Sequence, residues 1–355
     1  MSPRRRAATR ITLKQVAARL GVSAATVSNA FNRPDQLSAR RRREILAAAR
    51  ALGYNGPDSR GRTLRTGLSR IIGVVLSDDL GYSFSDSVAS EFLAGISQVF
   101  DAHDYRILLL TNATRTDRPF SSFNGVADGY LVYGSLPDND QLTQIGEPQS
   151  QPVVTVDNLM PGRPSVGIDN RDAAFELARR ALAGGARRPA VLALRLTLDA
   201  PAGSCERHRP LQHPNAMMLE RLAGFDRALA EAGFEPAAVP LYNVDGNTFE
   251  AAAPVIEPLL DDDTPPDLLL CMSDRLALTA LSLAEQRGIR VPQALQLTGF
   301  DGIAEGQRRP PYLTTVYYDS RAKGIRAARM VTGLDDDKEV VIPTWLIHGQ
   351  TCPID

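Results

Sequence analysis

The segment SAATVSNAFN, Ser23 to Asn32, holds the side chains best suited to touching another molecule. Read as a short helix capped by Ser23, it buries Ala24, Val27 and Phe31 or Ala30. It turns Ala25, Ser28, Asn29 and Asn32 outward, a small polar face without a carboxylate. A helix entering a groove walled by phosphates requires such a face. A second group with chemical potential is CERHRPLQH, where Cys205, His208 and His213 lie close together. Zinc or redox chemistry is what these residues offer, but their spacing matches no standard motif, and a solvent-exposed loop is the simpler reading. No G-x-x-x-x-G-K-[ST] loop, no G-x-G-x-x-G after a strand and no G-x-S-x-G elbow occurs. No nucleophile–base pair is visible either. No catalytic residue, metal or cofactor is therefore expected, and the chain is not expected to be an enzyme.

The elements that must position the polar face follow from periodicity. In TLKQVAARL, Leu13, Val16, Ala17 and Leu20 form one apolar helical stripe with Thr12 as its cap. Gly21-Val22 breaks the run before the Ser23 helix. After Arg33-Pro34-Asp35, Ser38 caps a third helix that buries Ile45, Leu46, Ala49 and Leu52 and ends at Gly53. Three short helices with a glycine turn between the first two form a helix-turn-helix plan. Charge points the same way. Residues 1–67 hold 15 Lys and Arg against three acids, Asp35, Glu44 and Asp58, whereas the remainder holds 25 against 38. One end therefore seeks a polyanion while the other repels it. Nucleic acid fits through phosphate neutralisation. Anionic lipid would want large apolar residues on a basic amphipathic helix, and a plain three-helix bundle leaves the excess charge unexplained.

From Arg70 onward, apolar runs alternate with helical stretches. IIGVVL (71–76), YRILLL (105–110), DGYLVYG (128–134), PVVTVD (152–157), PAVLAL (189–194), DLLLCMS (267–273) and LQLTGFD (295–301) read as strands. Amphipathic helices such as 172–183, 215–232 and 275–287 lie between several of them. This alternation predicts doubly wound parallel sheets covered on both faces. Nearly 290 residues exceed one such sheet, so two lobes are expected. The acidic runs Asp261–Asp263 and Asp335–Asp337 read as solvated loop or helix ends. No apolar run approaches the ~18 residues of a membrane span, and no secretory signal is read at the arginine-rich start. The three cysteines, Cys205, Cys271 and Cys352, are too scattered for a disulfide framework. A cytoplasmic protein is expected.

On TLKQVAARLGVSAATVSNAFN, ALGY and RTLRTG, and then VDNL, ERLAGFDRALAEAGF, CMSDRLALTAL, GFDGI and LTTV, the chain resembles the lac-repressor-like (LacI/GalR) transcriptional regulators along essentially its whole length. The resemblance implies an all-α helix-turn-helix head (1–55), a hinge helix or linker (56–69), and a two-lobed α/β domain of the periplasmic-binding-protein type I (70–355). Lobe 1 would take about 70–168 and 319–334, and lobe 2 about 169–318 and 335–355. It further implies a homodimer on double-stranded operator DNA, with a small-molecule effector, a sugar or related metabolite, held between the lobes. A repressor without membrane association is the leading expectation. A solute-binding protein or an enzyme on the same scaffold is the alternative.

The resemblance also places residues. The second helix would lie in the major groove with Ala24, Ala25 and Asn29 at base edges, and Ser23, Thr26, Ser28 and Asn32 suited to phosphate or base. Asn29 can bond adenine at two points, worth roughly 1–3 kcal/mol of discrimination, while the alanines offer only methyl contacts. Thr12, Leu13, Ser38 and Arg41 would position the head on phosphates. Leu64 matches the family's wedge between base pairs. Pro57 suits the first turn of the hinge helix, but GYNGPDSRGRTL is one residue longer than usual, and Gly61 stands where alanine is common. In the cleft, Ser77, Phe84, Asp157, Arg221, Asn247, Ser273, Asp301 and Tyr318 match effector contacts. Carboxylate and guanidinium suit vicinal hydroxyls, and Phe84 or Tyr318 suits the apolar face of a sugar. Alternatives stand beside them: Arg221 as a helix-surface ion-pair partner, Ser273 or Asp301 as a strand-end cap, Phe84 as core. The stretch 195–214 is longer than usual for the family.

Overall fold

The computed structural model describes residues 11–54, 68–111, 126–135, 151–158, 160, 162–197, 201–206 and 214–354, without the side chains of Asn32 and Pro34. Pro57, Gly61, Leu64, His208 and His213 fall outside these residues. The chain divides into two compact units, Met1–Ser69 and Arg70–Asp355.

The first unit consists of α1 (Leu13–Leu20), α2 (Ala24–Asn32) and α3 (Ala39–Ala51). Thr12 and Gln15 close a capping box on α1, and Ser23 and Ser38 accept the Thr26 and Arg41 backbone N–H groups to start α2 and α3. Val16, Ala17, Val27, Ala30, Ile45 and Ala49 meet in one core sealed by Tyr54, whose ring stands edge-on to Phe31 at 5.6 Å. The Arg42 guanidinium donates to the Ala30 carbonyl at 2.9 Å, so one arginine of the Arg40–Arg43 run fastens α3 to α2.

The second unit contains two lobes. Lobe 1 is built on β1 (Ile71–Leu76), β2 (Arg106–Thr111), β3 (Gly129–Tyr133), β4 (Val153–Val156) and β5 (Ser165–Gly167), with α4 (Leu80–Ser85) and α5 (Ser87–Ala102). Lobe 2 follows with α6 (Asn170–Ala183), β6 (Pro189–Leu194), β7 (Gly203–Ser204), α7 (Ala216–Glu231), β8 (Leu241–Val244), α8 (Phe249–Leu260), β9 (Leu268–Cys271), α9 (Asp274–Gln286) and β10 (Gln296–Thr298). The chain then returns through β11 (Thr315–Tyr318), α10 (Ser320–Val331), β12 (Glu339–Val341) and β13 (Thr344–Ile347).

The first sheet has the order β12-β5-β4-β3-β1-β2 and is parallel throughout; the second, β10-β9-β6-β8-β7, is parallel except at its short edge strand β7. Each sheet buries apolar clusters on both faces, as near-continuous apolar strands demand. One boundary needs correcting. The stretch 335–355 was expected whole in lobe 2, but β12 pairs in parallel with β5 and completes the lobe 1 sheet. The chain therefore crosses between lobes three times, and β11 and β13 pair antiparallel beside the crossings.

Two helix contacts bear on the site. Gly224 of α7 lies so close to α6 that a Cβ there would sit 2.2 Å from the Arg171 carbonyl oxygen, and one on Gly324 of α10 would sit 2.2 Å from that of Phe92 on α5. Glycine alone permits these approaches, and they seat Arg221, which lines the cleft, and Lys323, which holds Asp157 at its wall. Among the described residues no helix is long and apolar enough to cross a membrane.

Candidate functional site

In the head, Ala25 is exposed, while Ala24, Thr26, Ser28 and Asn29 are half-buried along the outer side of α2. Thr12, Ser23 and Ser38 are exposed and spend their hydroxyls as helix caps. Such ends still aim their remaining N–H groups outward, the usual arrangement for a phosphate. Leu13 is half-buried against the core. Arg40 and Arg41 share Glu44, at 3.1 and 3.5 Å. These exposed pairs are weak enough to yield to a phosphate. The side chain of Asn32 and all of Leu64 lie outside the described residues.

In the second unit a cavity of about 120 Å³ opens between the lobes. It forms where the strands end, as open parallel sheets dictate. Ser77 and Asp78 follow β1, Asp157 follows β4, Arg195 follows β6 and Asp301 follows β10. Six of the eight expected effector contacts line it: Ser77, Asp157, Arg221, Asn247, Asp301 and Tyr318. Phe84 does not; it is 60% exposed on the outer side of α4 and belongs to no core. Ser273 is buried behind the wall, where it caps α9 through the Leu276 N–H and hydrogen-bonds the Asn247 side-chain oxygen at 2.6 Å. It steadies Asn247 without lining the cavity.

The charged groups come in pairs. The Arg221 side chain, 2% exposed, donates to the Asn170 side-chain oxygen at 2.9 Å, the Met272 carbonyl and Asp301 at 3.3 Å. Its guanidinium lies over the Phe300 ring at 3.7 Å. The surface ion-pair reading of Arg221 therefore fails. Asp301 also accepts from the Tyr318 hydroxyl at 3.0 Å. The Lys323 ammonium meets both Asp157 oxygens at 2.8 Å. Across the cleft, Arg195 of lobe 2 pairs with Asp78 of lobe 1, and Ser135 donates to Asn215 at 3.0 Å. Asp157, Arg195 and Asp301 all hold positive φ, at 54°, 44° and 116°. Such backbone costs energy and tends to collect at functional sites.

The sequence reading missed Asp78, Tyr82, Asp86, Tyr133, Arg195 and Lys323. All but Lys323 line the cavity, and Lys323 holds a carboxylate that does. Their position just past strand ends was the available signal for Asp78 and Arg195. Cys205 is half-buried and unpaired, and no metal-holding cluster of His, Cys, Asp or Glu occurs among the described residues.

Burial lifts the Asp301 carboxyl to about 6 against the pull of Arg221, and burial with Asp301 nearby lifts Asp274 to about 7. Asp274 sits at the start of α9, where it accepts from the Ile303 N–H at 2.7 Å and from Thr315. An unfolded aspartate titrates near ~3.9, so both groups hold protons more tightly in the folded chain. Their contribution to stability is complete below about pH 4 and is lost as pH rises through 6 to 7. Urea midpoints of the 70–355 unit should therefore show a decline between pH 5 and 8 that Asp274→Asn flattens. A variant whose pH profile parallels that of the wild type would remove Asp274 as a cause.

Comparison with known proteins agrees with this architecture. Residues 12–56 match the model for bacterial regulatory proteins of the lacI family, and residues 167–352 match the periplasmic binding protein-like domain. An HTH-type transcriptional regulator of Mycolicibacterium smegmatis is 36% identical over 355 residues, covering 96% of each chain. A crystal structure of a LacI-family transcriptional regulator from Corynebacterium glutamicum is 30% identical with a TM-score of 0.70, covering 96% of this chain and 98% of that one. The lac repressor dimer bound to operator and the anti-inducer ONPF shares the fold at 21% identity, with a TM-score of 0.72, covering 97% of this chain and all of that one. With a helix-turn-helix head, two parallel-sheet lobes and full-length relatives of the same plan, the chain belongs to the lacI family of bacterial transcriptional regulators.

Proposed function

We propose that the protein is a homodimeric operator-binding repressor whose DNA affinity is set by a small polyhydroxylated metabolite bound between its lobes. The observation that carries this reading is the convergence of Asp157, Arg221, Asn247, Asp301 and Tyr318 on one interlobe cavity at the strand ends. The solved lac repressor, a dimer on operator with an anti-inducer, has the same fold. A two-fold dimer presents two heads to two half-sites, so a near-palindromic operator is expected.

The cavity is smaller than the ~300–1,000 Å³ of most ligand sites. Admitting a sugar therefore requires the lobes to part, and the Arg195–Asp78 and Ser135–Asn215 contacts join one lobe to the other. A ligand that binds one degree of closure better than another shifts the population toward it, and through it DNA affinity. The relatives are regulators, which supports a non-catalytic role.

Selection of bound duplexes from a random pool, with and without a panel of sugars and nucleosides, tests the reading. A near-palindromic consensus whose recovery changes with one compound is the expected result. No preference among duplexes under any condition would refute it. Within that assay, Asn29→Ala should relax one base position by roughly 1–3 kcal/mol. Arg41→Ala should weaken all duplexes alike and lower the salt slope by about one. Equal losses of specific and random binding in both variants would show that α2 is not the reading helix.

A further inference from the structure

The charges that line the cleft are matched almost one to one by the protein's own groups. Asp157 is held by Lys323, Asp301 by Arg221, and Asp78 by Arg195. Each of these cations also lies over an aromatic ring: Lys323 over Tyr318 at 4.3 Å, Arg221 over Phe300 at 3.7 Å and Arg195 over Tyr82 at 5.8 Å. The fourth carboxylate, Asp86, has no cation partner among the described residues. It caps α5, accepting from the Ala89 N–H at 2.9 Å, and accepts from the Tyr82 hydroxyl at 3.2 Å. Its charge thus faces a helix N-terminus, equivalent to roughly half a positive charge. The lining as a whole stays slightly negative.

We propose that this cleft admits uncharged polyhydroxylated molecules and rejects anions, and that Asp86 sets the distinction. The proposal rests on reading the cleft as the effector site. A phosphate ester or carboxylate needs an uncommitted guanidinium, ammonium or helix N-terminus. Here the three cations are committed, and the two helix N-termini at the cavity are occupied by their own caps, that of α5 by Asp86 and that of α7 by Asn215, which accepts the Met218 N–H. An anion that captured Arg221 or Lys323 would strand a buried aspartate without its partner, a costly exchange. A hydroxyl group both donates and accepts. It can take the remaining carboxylate lone pairs and guanidinium N–H groups without breaking any pair.

Equilibrium dialysis of the full-length protein against a small-molecule extract of bacterial cytosol, read by mass spectrometry, tests this. The wild type should retain uncharged polyhydroxylated compounds and exclude their phosphate esters. Asp86→Asn keeps an N-cap residue and deletes the charge. It should raise the ratio of retained anionic to uncharged compounds about tenfold, the size of a 1.4 kcal/mol difference, with an unchanged circular dichroism spectrum confirming the fold. Retention of a phosphate ester or carboxylate by the wild type, or a ratio indifferent to Asp86→Asn, would overturn the charge rule while leaving the effector site standing. Retention of nothing by either folded protein would overturn the effector reading and the rule with it.

Discussion

Arg221→Ala is expected to destabilise the 70–355 unit by about 3–5 kcal/mol, because it removes one member of a buried ion pair and strands the other. Three elements meet at this guanidinium: the start of α6 through Asn170, the end of β9 through Met272, and Asp301 after β10. Asn170 and Met272 are buried and lose their partner without replacement, while Asp301 is half-buried at the cavity wall. The pH dependence separates the charge from the packing. Asp301 already sits at about 6 with Arg221 in place, and without it the carboxyl rises further. At pH 5 the variant carries a neutral Asp301 and suffers chiefly the lost hydrogen bonds. At pH 8 it must bury an unpaired charge or take up a proton. Urea unfolding should therefore show a larger penalty at pH 8 than at pH 5. Arg221→Lys restores a charge but not the planar fork that serves three acceptors, so it should recover only part of the loss. Equal penalties at both pH values would show that Asp301 is not the group being compensated.

What was legible in the sequence and what was not separates along physical lines. Strand ends were readable because near-continuous apolar runs stop abruptly at polar residues, and ligands of parallel sheets gather at those stops. Ser77, Asp157 and Asp301, which the family resemblance placed in the cleft, lie at such stops and line the cavity. Phe84, matched only through the resemblance, does not line the cavity: α4 spans only Leu80–Ser85, and so short a helix cannot turn every residue inward. Tyr82 and Ser83 take the inner side instead. Ser273 failed because a serine just past a strand can line a cleft or cap the next helix, and here it caps. The pairs Arg195–Asp78 and Lys323–Asp157 join residues 117 and 166 positions apart. Nothing local in the sequence announces such partners. α8 opposes propensity outright: Pro254 and Pro258 lie inside it, a pattern that argues against helix. Its buried face of Ala252, Val255, Ile256 and Leu259 outweighs them. β12 was misassigned for the same reason as the distant pairs. A three-residue strand takes its lobe from the sheet that accepts it, in this case from β5.

Lys323→Met carries the second large effect. It keeps the length and apolar stem of the side chain and deletes the ammonium, so the Asp157 carboxylate loses both 2.8 Å contacts at a site where the two side chains are 1% and 5% exposed. A loss of about 3–5 kcal/mol follows from stranding that charge. Replacing both partners with uncharged groups of similar shape is far less costly than removing one. Asp157→Asn in the Lys323→Met background should therefore recover most of the stability. Asparagine is suited to the exchange because Asp157 sits at φ 54°, a conformation that asparagine tolerates better than most residues. Thermal or urea unfolding of the two singles and the double closes the cycle, and a double variant no more stable than Lys323→Met would show that packing, not charge, is the cause. The same double variant then isolates the carboxylate in function. Folded but lacking a negative charge at the end of β4, it should bind operator and no longer respond to the effector. A full response from a stable double variant would take the Asp157 carboxylate out of the ligand site.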